Sequence, residues 1–190
     1  RSMDFNDLPS RLRRLYSSIG LKVDENVQKY IKITEIDAGK MITFENGRTL
    51  SETENVILVI IEQIAKLKDH LINKSLNRQN VENAINDSFD LQIIMDLYNS
   101  EKHGYPLTKY RRSELDPCIK NVRNVLVLPP GEGFGININK VELVKLKGCR
   151  IMAVADVYDG TGNLICGSDK LINSGVCQWE EFIEKNNFIQ

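Results

Sequence analysis

The sequence is poor in the residue types that mark metal centres and disulfide-rich exported proteins. It holds two histidines, one tryptophan and four cysteines in 190 residues. Cys118, Cys149, Cys166 and Cys177 form no CxxC pair, and neither histidine is close to them in sequence, so we predict no zinc site and no cofactor. Their spacing is typical of free thiols in a reducing compartment, and we expect no disulfide.

Long hydrophobic runs and an excess of one charge are also missing. No apolar run approaches 18 residues, which excludes a transmembrane helix. The 25 basic and 26 acidic residues leave a net charge of −1, so the total charge does not indicate a membrane or nucleic-acid partner. Arginines at positions 11, 13 and 14 interrupt any apolar stretch near the start, and no secretory signal is apparent. We therefore expect a cytoplasmic protein without a membrane partner.

The composition that is present is ordinary for a soluble globular protein, with 42% apolar and 27% charged residues. The length fits a single domain, 1–190. Within it we expect an N-terminal helix and hairpin (3–50), core helices (51–104), a β insertion (105–167) and a C-terminal helix (168–190). The order of helices, then strands, then a helix predicts an α+β fold with a small antiparallel sheet inserted before the C-terminal helix.

Hydrophobic periodicity sets the expected elements. It predicts helices at 8–19, 51–74, 79–86, 89–103 and 169–185. Ser51-x-x-Glu54 is typical of a capping box, and Ser88 and Ser168 are expected to cap the helices that follow them. A hairpin is predicted at 30–44, and strands at 122–128, 136–146, 150–158 and 164–166. Lys68 projects from within the apolar face of its helix and is the exception to the pattern.

The predicted helix 89–103 is apolar over most of its circumference and carries one polar stripe. That stripe holds Gln92, Asp96, Asn99 and His103, each about one turn from the next. A carboxylate, an amide and an imidazole in one row can orient a phosphate or serve general acid–base catalysis. The alternative is a stripe that only hydrogen-bonds neighbouring helices.

A basic segment follows this helix. From Lys102 to Arg123 there are six basic residues against two acidic ones, and Tyr105 and Tyr110 lie among them. Basic residues interleaved with aromatic rings suit the phosphates of RNA or a nucleotide. The alternative is a solvated loop that pairs with the acidic C-terminal part of the chain.

Two helical motifs resemble the HEPN-like group of helical bundles, in bacterial and phage proteins. They are Leu67-Lys68-Asp69-His70-Leu71 and Asp96-Leu97-Tyr98-Asn99-x-x-Lys102-His103. Asp159-x-x-Gly162 and the later Gln178-Trp179-Glu180-Glu181-Phe182 are similar to the same group, so the resemblance covers most of the chain after Ser51. It implies an up-and-down bundle with Asp69 and His103 near one cleft. Many members are metal-independent ribonucleases of defence or toxin systems, whereas others bind nucleotides or support oligomers.

The resemblance also implies residue roles. His103 is the expected acid or base, with Asn99 and Asp69 orienting it. The expected substrate contacts are Lys68, Lys102, Asp96, Lys109, Arg111 and Arg112. Active members carry arginine where this chain has Tyr98. Tyrosine cannot supply that positive charge, which would have to come from Lys68 or Lys102.

Two functions therefore remain open from the sequence. The first is an RNA- or nucleotide-directed protein, in the form of a degenerate endoribonuclease. The second is a non-catalytic dimeric interaction or scaffold module. A two-fold homodimer is expected in either case, because HEPN-like bundles often pair and closed two-fold pairs are the commonest oligomers. Val59, which projects from an otherwise polar helix face, supports that pairing.

Overall fold

The helical and strand patterns of the sequence fold into a layer of helices packed on a small sheet. The computed structural model describes residues 20–22, 31–44, 49–73, 77–107, 111–127, 135–137, 142–144 and 150–186. Its helices are α1 (Leu50–Asn73), α2 (Arg78–Asn86), α3 (Phe89–His103) and α4 (Ser168–Lys185). The strands are β1 (Gly20–Lys22), β2 (Ile31–Ile36), β3 (Gly39–Phe44), β4 (Cys118–Val127), β5 (Gly135–Asn137), β6 (Glu142–Val144), β7 (Arg150–Tyr158) and β8 (Leu164–Gly167). The predicted α+β class is confirmed.

The hydrophobic core lies between the helices and the inner face of β7. Alternate β7 residues, Ala153, Ala155 and Val157, are buried in the same core as the apolar residues of the helices, and β7 packs on α1 and α4. The single tryptophan, Trp179 of α4, is fully buried, and its indole N–H donates to the carbonyl of Ile64 at 3.1 Å. This bond satisfies the one polar atom of a large apolar side chain and ties α4 to α1.

Strand β7 is the centre of an antiparallel sheet. It pairs with β4 along one edge and with β1 and β8 along the other. The pairing of β1 was not predicted, because its three residues carry no strand pattern. The predicted hairpin is confirmed as β2 and β3, with its turn at residues 37–38, and the strand expected at 136–146 is instead a second hairpin of β5 and β6.

The helix caps differ in part from the expected ones. The capping box of α1 is Thr49 with Glu52, whose two reciprocal bonds measure 3.1 and 2.7 Å, and not Ser51 with Glu54. Ser88 caps α3 as predicted, accepting from the backbone N–H of Leu91 at 3.3 Å. Ser168 does not cap α4, because its hydroxyl accepts a bond from the Ala155 N–H of the sheet at 2.8 Å.

Some expectations fall outside the described residues. These are the helix at 8–19, Lys109 and Cys149. Among the helices that are described, none is long and apolar enough to span a bilayer.

Candidate functional site

Helices α1 and α3 run antiparallel, and this sets where the predicted site residues lie. Val59 and Lys102 line one groove together with Glu62 and Tyr98. Lys66 lies close enough to Tyr98 for an electrostatic interaction. Later positions of α1 therefore lie beside earlier positions of α3. The end of α3 is level with Val59, and the end of α1 is level with the start of α3.

This geometry separates the three residues that were expected to form a catalytic group. Asp69 lies ten positions beyond Val59, which is about 15 Å along the axis of α1 at 1.5 Å per residue. His103, at the end of α3, is exposed, as is Asp69, while Asn99 is half-buried one turn before His103. This axial offset argues against a common cleft of Asp69 and His103, and their catalytic roles stay predictions.

Asp96 binds a loop and does not face a cleft. Its side chain is fully buried, and its carboxylate accepts the backbone N–H of Arg112 at 2.8 and 3.0 Å. It also accepts the N–H and the hydroxyl of Ser113 at 2.8 and 2.7 Å. A buried carboxylate needs such donors to offset its lost hydration. Asp96 therefore anchors the loop 111–117 to α3, and the expectation that it contacts substrate is wrong.

Glu82 of α2 holds two of the predicted phosphate contacts. Its Oε1 lies 2.6 Å from Lys68 Nζ and its Oε2 lies 2.9 Å from Arg112 Nη1. All three side chains are less than a quarter exposed. Burial alone would raise the pKa of Glu82, but the hydrogen bonds and charges of Lys68 and Arg112 outweigh it and lower that pKa. Both cations are ion-paired with this carboxylate, whose single negative charge balances one of the two.

We call Lys68, Glu82, Asp96, Arg112 and Ser113 the loop-anchor cluster. Three helices and one loop contribute to it, and its formal charges sum to zero. Lys68 and Asp96 were predicted to lie close together. Asp96 binds this loop directly, whereas Lys68 is linked to it only through Glu82. The cluster also contains Glu82 and Ser113, which the sequence reasoning missed. The signal that could have found them is Lys68 itself, because a lysine within an apolar helix face requires a buried acid.

The remaining basic residues have separate environments. Arg111 forms an ion pair with Asp116 and donates through Nε to the carbonyl of Leu107 at 2.8 Å. Lys102 is exposed and lines the groove beside Val59. The predicted contact surface of Lys68, Arg111 and Arg112 is therefore paired within the chain and does not face a ligand as free charge.

A groove with a largely apolar lining lies between α1 and α3. It encloses about 610 Å³. Its lining residues come from the first half of α1 and the last turns of α3: Asn55, Leu58, Val59, Ile61, Glu62, Leu97, Tyr98, Glu101 and Lys102. We call it the α1/α3 groove. The side chain of Val59, at this groove, is 51% exposed.

Metal chemistry finds no support in the described residues. No group of three or more histidine, cysteine, aspartate or glutamate side chains there could hold a metal ion. Cys118, Cys166 and Cys177 are free thiols, and burial raises the pKa of the Cys166 thiol. A higher pKa keeps Cys166 protonated and less nucleophilic at neutral pH.

Comparison with known proteins adds no assignment. The sequence matches no protein-family model, no curated protein and no solved structure. The HEPN-like resemblance therefore rests on the sequence motifs alone and stays a prediction.

Proposed function

We propose that the protein is a non-catalytic interaction module that pairs with a second copy of itself across the α1/α3 groove. The observation that carries the proposal is Val59, half-exposed beside an apolar groove on an otherwise polar helix face. An aliphatic side chain at the edge of such a groove gains free energy when a partner removes it from water.

The charges around the groove favour a second copy over a strongly charged partner. Glu62 and Glu101 supply two negative charges, and Lys102 and Lys66 supply two positive ones, with Lys66 ion-paired to Glu62. A two-fold interface brings the same surface patch together twice, so the patch must be complementary to itself. A balanced patch with both signs at its rim meets that condition. A patch of one sign would repel its own copy.

The proposed pair has its two-fold axis beside Val59. Each Val59 then packs into the groove of the other copy, against half-buried Leu58 and Tyr98. A specific interface buries about 1,000 Å² or more in total, so the outer face of α1 around the groove also takes part.

The competing ribonuclease function has less support from the geometry. Asp69 lies about 15 Å along α1 from the level of His103. Arg111 is ion-paired to Asp116, and Arg112 to Glu82. A phosphoryl-transfer site needs its acid, base and cations within reach of one group.

The oligomeric state of a Val59→Glu variant tests the proposal. Full burial of a valine contributes roughly 1.5–3 kcal/mol, so burying the exposed half of Val59 contributes about 1 kcal/mol per copy and about 2 kcal/mol per pair. Its loss should weaken association about 30-fold or more, because 1.4 kcal/mol is ten-fold. Light scattering over roughly 1 to 100 µM should approach about 43 kDa for the parent chain, twice its 21.7 kDa, and should place the dimer-to-monomer transition of the variant at a concentration about 30-fold higher or more.

Phe89→Glu is the matched control. Phe89 is also 51% exposed on a helix, but it lies at the start of α3, away from the groove. This variant should remain a dimer. A parent chain that is monomeric throughout the range, or a Phe89→Glu variant that dissociates equally, would overturn the proposal.

A further inference from the structure

Strand β4 contains a bulge that collects polar side chains on the outer face of the sheet. The register between β4 and β7 shifts between Lys120 and Arg123. Asn121 has a φ of +55°, a left-handed conformation that asparagine adopts more readily than most residues. Val122 packs against the core, while Lys120, Asn121 and Arg123 are exposed. Bulges of this kind redirect side chains and are frequent beside functional sites.

The redirected side chains meet two residues of β7. Arg123 Nη2 lies 3.0 Å from Asp156 Oδ1, and Arg123 Nη1 donates to the carbonyl of Asn121 at 2.9 Å. Asn121 Nδ2 donates to Asp156 Oδ2 at 3.1 Å and to the Tyr158 hydroxyl at 3.2 Å. The Lys120 ammonium lies 5.7 Å from the centre of the Tyr158 ring. We call these five residues the outer-face cluster.

The outer-face cluster carries a net positive charge beside an aromatic ring. Lys120 and Arg123 supply two positive charges, and Asp156 supplies one negative charge. Hydrogen bonds from Arg123 and Asn121 lower the pKa of Asp156 and so favour its charged form. Of the six basic residues between positions 102 and 123, Arg111 and Arg112 are engaged in ion pairs with other parts of the fold. Arg123 is ion-paired as well, to Asp156, but its side chain is 47% exposed, and Lys120 beside it is also exposed.

We propose that the outer-face cluster binds single-stranded RNA. A tyrosine ring offers a stacking surface to a base, and lysine and arginine beside it offer contacts to the neighbouring phosphates. Asp156 and the Asn121 carbonyl hold the Arg123 guanidinium, whose remaining N–H groups are available to a phosphate oxygen. When a base stacks on the Tyr158 ring, the long, exposed side chain of Lys120 moves away from that ring. This site shares no residue with the α1/α3 groove and does not depend on dimerisation.

Fluorescence anisotropy with a labelled oligouridylate of about 12 nucleotides tests the site. Two phosphate contacts predict a slope of about −1.4 for log affinity against log salt, at roughly −0.7 per contact. The double variant Lys120→Gln/Arg123→Gln should bring that slope close to zero. Tyr158→Leu should keep the slope and weaken binding about ten-fold through the lost stacking.

Lys170→Gln/Lys185→Gln is the matched control, because it removes the same charge from exposed positions of α4. It should retain at least half of the affinity, and every variant should keep the Trp179 emission of the folded chain. No binding at low salt, equal loss in the control, or equal competition by an acidic peptide would overturn the proposal. The monomeric Val59→Glu chain should bind RNA as the parent does, so failure of the dimer and failure of this site are separable.

Discussion

Replacing Asp96 by asparagine separates an anchoring role from a catalytic one. The fully buried carboxylate of Asp96 accepts bonds from three donor groups, the N–H groups of Arg112 and Ser113 and the Ser113 hydroxyl. Asparagine keeps one acceptor oxygen. Its NH₂ group is itself a donor, so it cannot accept the bonds that Arg112 and Ser113 donate to the second carboxylate oxygen. Each hydrogen bond to a charged group contributes about 1.5–3 kcal/mol, so losing about two of them should lower the free energy of unfolding by about 3 kcal/mol or more.

Urea denaturation followed by the fluorescence of Trp179, the single tryptophan, measures this loss. In thermal unfolding at a fixed protein concentration, the same loss should lower the melting temperature of Asp96→Asn by about 6–12 °C relative to the parent chain. Asp69→Asn is the matched control, because Asp69 was predicted for the same site yet is exposed. It should change the free energy of unfolding by less than about 0.5 kcal/mol. A loss below about 1 kcal/mol in Asp96→Asn, or an equal loss in the control, would refute the anchoring role.

Three further predictions concern titration and redox state. Because the pKa of Glu82 is lowered in the folded chain, its ion pairs contribute stability above about pH 4.3 that is lost as the pH falls through the folded pKa. The unfolding free energies of the parent and Glu82→Gln should therefore differ most near pH 7 and converge in acid; a constant difference would contradict this. An NMR titration should give Asp159 a pKa of about 2, because the Asn163 N–H and the Thr161 hydroxyl bind its carboxylate; an ordinary value would show that the turn is not formed. Freshly denatured, unreduced protein should titrate four thiols, and a lower count would indicate a disulfide.

The long periodic helices could be predicted from the sequence, since their apolar stripes span several turns. Helix α3 has its predicted bounds. Helix α1 is shifted by one residue at both ends, and α4 begins one residue earlier than predicted. Short-range capping was less certain. Thr49 and Ser51 offer two overlapping capping boxes with Glu52 and Glu54, and only tertiary placement decides between them.

The contacts of the polar residues could not be predicted, because they depend on elements distant in sequence. Lys68 breaks the apolar pattern of its own helix. Its partner Glu82 lies on a different helix, and the periodicity of neither helix connects the two positions. Asp96 lies in a stripe that also suits catalysis, and only the position of the loop 111–117 assigns it to anchoring. The bulge at Asn121 has no periodic signature, so the outer-face cluster was not apparent from the basic run alone.

Cross-linking through position 59 tests the proposed pairing most directly. In a two-fold pair with its axis beside Val59, Val59→Cys brings two thiols together across the axis. Mild oxidation should then give a covalent dimer of about 43 kDa, twice 21.7 kDa, on a non-reducing gel. The parent chain and Phe89→Cys, equally exposed but distant from the groove, should remain near 21.7 kDa under the same treatment. Failure of Val59→Cys to cross-link, or equal cross-linking of Phe89→Cys, would contradict pairing through the α1/α3 groove.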